Sequence, residues 1–167
     1  MKLVRNDVFE TNSSSVHSLV VHRKYPLEYE YPDLHVYDDG YIHIPMDKFG
    51  WGYDGYIDSK VKLTYAMGMV YQTESRDKYD EDYRQQLGNF YDTVGYKAIN
   101  DMIKEYYNCD GILVDKLEHN VYPYGYIDHQ STEDYSSLKD FLDDYGVTLE
   151  QFVFDPNVTL IIDNDNH

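Results

Sequence analysis

The sequence predicts an α+β fold: a single domain with a mixed or antiparallel sheet and three to four helices. Three observations carry that expectation. Short apolar runs of strand length, among them Leu19-Val20-Val21, Ile112-Leu113-Val114 and residues 159–162, are set off by turn residues. Between them lie segments of helical period with capping residues at their ends, at 59–72, 93–107 and 136–145. No repeat, low-complexity stretch or linker divides the 167 residues. A chain of that length supports one core that buries roughly 70% of the unfolded surface.

In chain order, residues 2–9 and 16–22 read as two strands entering the core on either side of a dense polar stretch, Arg5-Asn-Asp-Val-Phe-Glu-Thr-Asn-Ser-Ser-Ser-Val-His-Ser18. The two-residue strand period puts Ser13, Ser15 and His17 on one face. Residues 25–33, rich in Tyr, Glu and Pro, form an edge strand or an extended connection. Residues 34–37 and 41–44 flank Asp38-Asp39-Gly40, a hairpin signal because Asp-Gly supplies positive φ. Residues 49–58 make a glycine-rich aromatic loop, suited either to a lid or stacking wall or to a packed connection. Ser59 then caps a helix to about Gln72, with Val61, Leu63, Tyr65, Met69 and Val70 inward.

Residues 74–82 are charged and solvated, as a loop or as the start of a helix reaching Tyr91. The helix at 93–107 carries Tyr96, Ile99, Ile103 and Tyr106 on one stripe and stops where Gly111 turns the chain into a buried strand. Residues 118–130 form an aromatic loop or hairpin. Residues 136–145 form an acidic amphipathic helix, with Leu138, Phe141 and Leu142 inward and Gly146 at its end. Phe152-Val153-Phe154 is an apolar run, Asp155-Pro156-Asn157 a turn, and residues 159–162 the last strand.

Charge narrows the function. Fourteen basic against thirty-one acidic residues leave a net charge of −17. Such a field repels phosphate backbones and disfavours direct nucleic-acid binding, which cationic side chains drive. It suits a basic partner surface, or else only keeps the protein dissolved. The 20 tyrosines, against 6 Phe and 1 Trp, pair an apolar ring with a polar tip and suit interfaces as well as strands. The single Cys109 excludes an internal disulfide and fits a reducing compartment. With no leader peptide and no long apolar run, the expected location is the cytosol, with no membrane partner; the sequons at Asn12 and Asn157 then carry no meaning.

Three chemistries are conceivable. Ser15 and His17 on one strand face are within reach of each other, but no Gly-x-Ser-x-Gly elbow is present to expose a nucleophile. Asp163, Asp165 and His167 alternate like metal ligands on a strand but lie at the fraying end of the chain, so no metal site is assigned. Arg5, Glu10, Asn12, Ser13, Ser14 and Ser15 form the candidate ligand-binding set: the Asn and Ser groups offer donors for a phosphate or ribose, and Arg5 supplies charge. The alternative is a turn whose side chains bond their own backbone.

The run Arg-x-x-Val-Phe-Glu-Thr-Asn-Ser-Ser-Ser-x-His-Ser at 5–18 resembles the opening of a family of uncharacterised Firmicute phage and prophage proteins. That resemblance carries no activity. A second resemblance is to ADP-ribosyltransferases of the His-Tyr-Glu type, through residues 8–13, residues 52–66 with the Tyr65-Ala66 pair, and residues 110–114. It implies NAD as cofactor, Tyr65 stacked on nicotinamide, Asn12 to Ser14 on the ribose, and Glu118 or Asp115 as the acid; His17, Tyr65 and Glu118 are then the candidate catalytic residues. Glu10 stands where that family has His.

The leading expectation is a binding protein that uses no cofactor. Its acidic, Tyr-rich surface would occupy the nucleic-acid-binding face of a basic host protein, as an anti-CRISPR-like or other anti-defence inhibitor does. The candidate contact residues are Asp77, Asp80, Glu81 and Asp82, and Asp140, Asp143 and Asp144.

Overall fold

A computed structural model describes residues 15–22, 28–49, 54–75, 90–115, 126–127 and 132–164. The elements run β1 (Ser15–Val21), β2 (Tyr41–Ile44), β3 (Lys48–Phe49), β4 (Asp54–Tyr56), α1 (Ser59–Val70), α2 (Val94–Tyr106), β5 (Gly111–Val114), β6 (Tyr126–Ile127), α3 (Leu138–Tyr145), α4 (Leu149–Phe154) and β7 (Val158–Asn164). The architecture is α+β with mixed strand pairing. No described helix is long and apolar enough to cross a membrane.

Strand β7 is central. It pairs antiparallel with β1 on one side and β4 on the other. Val158, Leu160 and Ile162 are buried, and the register sets His17 opposite Ile162 and Leu19 opposite Leu160. His17 and Leu19 therefore face the core with them, as strand alternation requires. The expected hairpin turn is present, with Gly40 at φ 86 and a bridge between Val36 and Ile42. Its second arm, β2, pairs in parallel with β5, an alignment set only by a segment far away in the chain. A second parallel pair joins β3 to β6. Part of the glycine-rich aromatic segment is thus strand: Asp54–Tyr56 pairs with β7, and Phe49 is buried in β3.

Helix α1 is the hub. Its N-cap is Asp58, whose carboxylate accepts the Val61 N–H at 2.9 Å; Ser59, the expected cap, instead donates its hydroxyl to the Glu30 carbonyl. From Lys62 to Val70 every side chain is buried, with α2, α3, α4 and β6 packed around the helix. The one-sided stripe expected from the apolar residues is a helix buried nearly all round.

A π-helical turn, Tyr71–Ser75, extends α1 and brings Glu74 to two helix starts. The Glu74 carboxylate accepts the Gly95 N–H at 2.8 Å and the Leu138 N–H at 3.3 Å, answering free amides at the first turns of α2 and α3. A Cβ on Gly95 would run into the Val70 side chain and this carboxylate, so glycine permits the close approach.

Helix α2 starts at its Thr93 cap and buries Tyr96, Ile99, Met102 and Ile103, with Tyr106 partly buried. Its Tyr96 hydroxyl donates to the Ile112 carbonyl and Asn100 accepts the Ile112 N–H, which pins the helix to β5. Helix α3 buries Leu138, Phe141 and Leu142, as its pattern predicts, and Gly146 ends it in the left-handed conformation. The run Phe152-Val153-Phe154 is the end of α4, a helix opened by a Thr148–Gln151 capping box.

Candidate functional site

Two of the residues singled out in the sequence meet in the interior. The Tyr65 hydroxyl on α1 lies 3.1 Å from Nδ1 of His17 on β1. Both are sealed, with Tyr65 0% and His17 3% exposed. The Tyr65 ring packs on Phe49, Phe141 and Phe152 at centroid distances of 5.1, 6.0 and 6.2 Å. Burial, with the neighbouring Tyr145 and Tyr135, holds its pKa well above 10.0, so the hydroxyl stays neutral. A neutral phenol bonded to an imidazole between apolar rings satisfies two buried polar groups and ties β1 to the central helix. Among the described residues, the ring contacts of Tyr65 are those of a core residue.

Lys62 is the buried cation that sequence reasoning missed. It is 0% exposed, and its Nζ donates to the Asp155 carbonyl at 2.9 Å and the Val158 carbonyl at 3.0 Å. Desolvation outweighs the attraction of Asp155, Glu30 and Asp58 and lowers its pKa from 10.5 to about 8. Two backbone acceptors at the α4–β7 turn make it a strut between α1 and that turn.

Arg5, Glu10, Asn12, Ser13 and Ser14 lie outside the described residues, as do Asp77, Asp80, Glu81, Asp82, Glu118, Asp165 and His167. So do the expected strand at 2–9 and the aromatic segment at 118–125. Ser15 opens β1. Of the polar stretch, His17 is therefore the residue whose role is defined, and that role is in the core.

The acidic helix is described in full. Asp140, Asp143 and Asp144 are all exposed on α3, with Glu133 and Asp134 exposed just before it. Lys139 pairs with Asp143, Ser136 donates to Asp140, and the Tyr135 hydroxyl donates to Asp144 at 3.3 Å. The Ser136 hydrogen bond holds the Asp140 carboxyl below its usual range. Other exposed carboxylates are spread over the hairpin, the α1 cap and α2. The tyrosines divide differently. Tyr65, Tyr71 and Tyr96 are core, and Tyr29, Tyr56, Tyr91, Tyr106, Tyr107, Tyr135 and Tyr145 are partly buried against it. Tyr31 and Tyr37 stand out at 51% and 46% exposure.

Among the described residues, no group of three or more His, Cys, Asp or Glu side chains is placed to hold a metal ion. Comparison of the chain with protein-family models, with curated proteins and with solved structures finds no match in any of the three.

Proposed function

We propose that this chain is a phage-encoded binding protein, anti-CRISPR-like or otherwise anti-defence, whose acidic surface covers a basic, nucleic-acid-binding face of a host protein. The observation that carries the reading is where α3 keeps its charge. Asp143 and Asp144 occupy the last turn of the helix, next to its negative end, and that turn holds no basic residue. Asp140 and Asp144 are four residues apart on the same helix, a like-charge spacing that costs stability. Lys139 pairs with Asp143 alone of the three. Asp140 lies in the first turn, where the helix dipole favours an anion, but folding gains little from Asp143 and Asp144, whereas a cationic partner gains both attraction and fast encounter from them. With −17 overall, carboxylates stand in for phosphates, and exposed tyrosine rings offer stacking surfaces where bases would lie.

The test is capture of basic proteins from a Firmicute lysate on the immobilised chain at low salt, with duplex DNA as competitor. The expected result is capture that DNA displaces, that high salt abolishes, and that Asp140→Asn/Asp143→Asn/Asp144→Asn weakens. Capture indifferent to DNA and salt would overturn the reading.

The enzyme alternative, an ADP-ribosyltransferase-like use of NAD, has one supporting observation: the His17–Tyr65 contact. The burial of both residues weighs against it. A ligand at a hundred times its Kd adds about 2.7 kcal/mol of stability. NAD is expected to leave the melting temperature unchanged; a rise that Tyr65→Phe removes would put the enzyme reading first.

A further inference from the structure

A second acidic surface differs from α3 in having a shape. Ala98, Asp101, Met102 and Glu105 fall on one stripe of α2, at the spacing that brings side chains into a row. Leu149 and Glu150 open α4, and the two helices border an open groove of about 350 Å³. That volume lies at the small end of ligand sites and has room for an extended side chain. Its lining combines apolar residues (Ala98, Met102, Leu149) with three acidic ones (Asp101, Glu105, Glu150).

An aromatic shelf adjoins the Glu105 and Glu150 carboxylates of this groove, although its rings do not line the groove itself. Tyr106 follows Glu105 on α2, and Phe154 lies one turn beyond Glu150 on α4. Tyr31 stacks on Tyr106 at a centroid distance of 5.0 Å and an angle of 29°, and sits 4.9 Å from Phe154. Tyr29 closes the cluster, 6.3 Å from Tyr31. The shelf and the carboxylates are close enough to act on each other. Partial burial, then Glu150, then Tyr31 and Glu105 raise the Tyr106 pKa.

We infer that this groove and shelf form a docking site for an arginine-bearing segment of a basic protein partner. The reasoning is charge complementarity joined to shape. A guanidinium is planar, stacks on an aromatic face and pairs with carboxylates through a fork of donors, and its three-carbon stem lies well on apolar side chains. Lysine matches the charge and the apolar lining but not the stacking. Asp101 and Glu105 are a like-charge pair at helical spacing with Glu150 in the same groove, an arrangement a bound cation relieves. The inference rests on the reading of the chain as a binder of basic surfaces, and it names a different face and the residue recognised.

The experiment measures binding of the full chain to labelled Gly/Ser peptides carrying three arginines, three lysines or three citrullines, by fluorescence anisotropy at low salt. Arginine is expected to bind tightest and citrulline not at all. Glu105→Gln/Glu150→Gln should weaken the arginine peptide about tenfold, as for lost charge pairs at a small site. Tyr31→Ala should weaken it several-fold while leaving the lysine peptide nearly unchanged, and Tyr31→Phe should restore it. Asp38→Asn/Asp92→Asn removes two exposed charges elsewhere and should leave binding as in the parent. Unchanged affinity in Glu105→Gln/Glu150→Gln, with its fold verified by circular dichroism, would overturn the inference. If Asp140→Asn/Asp143→Asn/Asp144→Asn alone abolishes binding, the groove assignment falls and the wider reading stands. If no cationic peptide binds, both fall.

Discussion

Helices α1 and α3 both carry polar residues, and the fold uses them in opposite ways. On α1, Lys62 and Tyr65 point inward, and each finds a partner from a distant part of the chain: the Asp155 and Val158 carbonyls, and His17. On α3, Asp140, Asp143 and Asp144 point outward, and the partners they find are local, Ser136, Lys139 and Tyr135. A buried polar group must be satisfied or it costs the fold its desolvation energy, so inward groups are committed to structure. Outward carboxylates carry no such obligation and stay available to a partner. Two of the residues that look like an active site in the sequence, His17 and Tyr65, are therefore ones this fold has already used.

The contrast is sharpest at Tyr65. Truncating a fully buried aromatic ring leaves a cavity, and Tyr65→Ala should cost about 3–5 kcal/mol in a urea titration. Tyr65→Phe, which keeps the ring and loses the bond to His17, should cost about 1 kcal/mol. If Tyr65→Ala left stability intact, the ring would not be a core element and the comparison would fail.

Lys62 gives a pH-dependent version of the same test. Its folded pKa, about 8, lies below the free value of 10.5. Between those values the unfolded chain still holds a proton that the folded chain has released, so stability from this group rises as pH increases through the window. Below pH 8 the buried charge is a standing penalty. Relative to Lys62→Met, the parent protein should gain up to about 3 kcal/mol from pH 8 to 10.5, because each tenfold difference in proton affinity between the two states is worth roughly 1.4 kcal/mol. A difference that stays flat across that range would mean that the ammonium is not desolvated.

How much of this was legible in the sequence depends on whether the decisive partner was local. Helix α3 was readable from its three apolar residues at helical spacing and from the glycine that ends it in the left-handed conformation, although it starts at Leu138 behind a Ser137 cap, two residues later than the pattern suggested. Strands β1, β5 and β7 were readable from their apolar runs. The surroundings of α1 were not, because Lys62 and Thr64 look like a solvent face until the elements that cover them are placed. His17 read as a site residue for a related reason. Its partner Tyr65 is 48 positions away, and a histidine on a polar stretch gives no sign that its strand packs inward. Glu74 lay in a stretch that reads as solvated, yet it serves two helix starts. The start of α4 was the one missed signal that was local: Thr148 and Gln151 are a capping pair just ahead of the apolar run.

Glu74 extends the comparison to an acid that faces inward. Replacing it with alanine frees the Gly95 and Leu138 amides together, and Glu74→Ala should cost about 1–2 kcal/mol, in the range of a lost helix cap. The loss should appear as earlier hydrogen exchange at the first turns of both α2 and α3. Exchange that quickened in only one of them would show that the carboxylate serves a single helix.

The smallest expected effect is the most discriminating. In α3, Asp143→Asn/Asp144→Asn removes the Lys139 pair, which contributes little at an exposed site, and removes two anions from the negative end of the helix. The second effect outweighs the first. The double variant should therefore be as stable as the parent or more stable by up to about 0.5 kcal/mol at low salt, with the gain fading as salt screens the helix end. A loss of 1 kcal/mol or more would mean that these carboxylates serve the fold, as Glu74 does, and α3 would then join α1 on the structural side of the comparison. No loss, combined with weaker capture of basic proteins, would leave partner binding as the reason for charge at a position that folding disfavours.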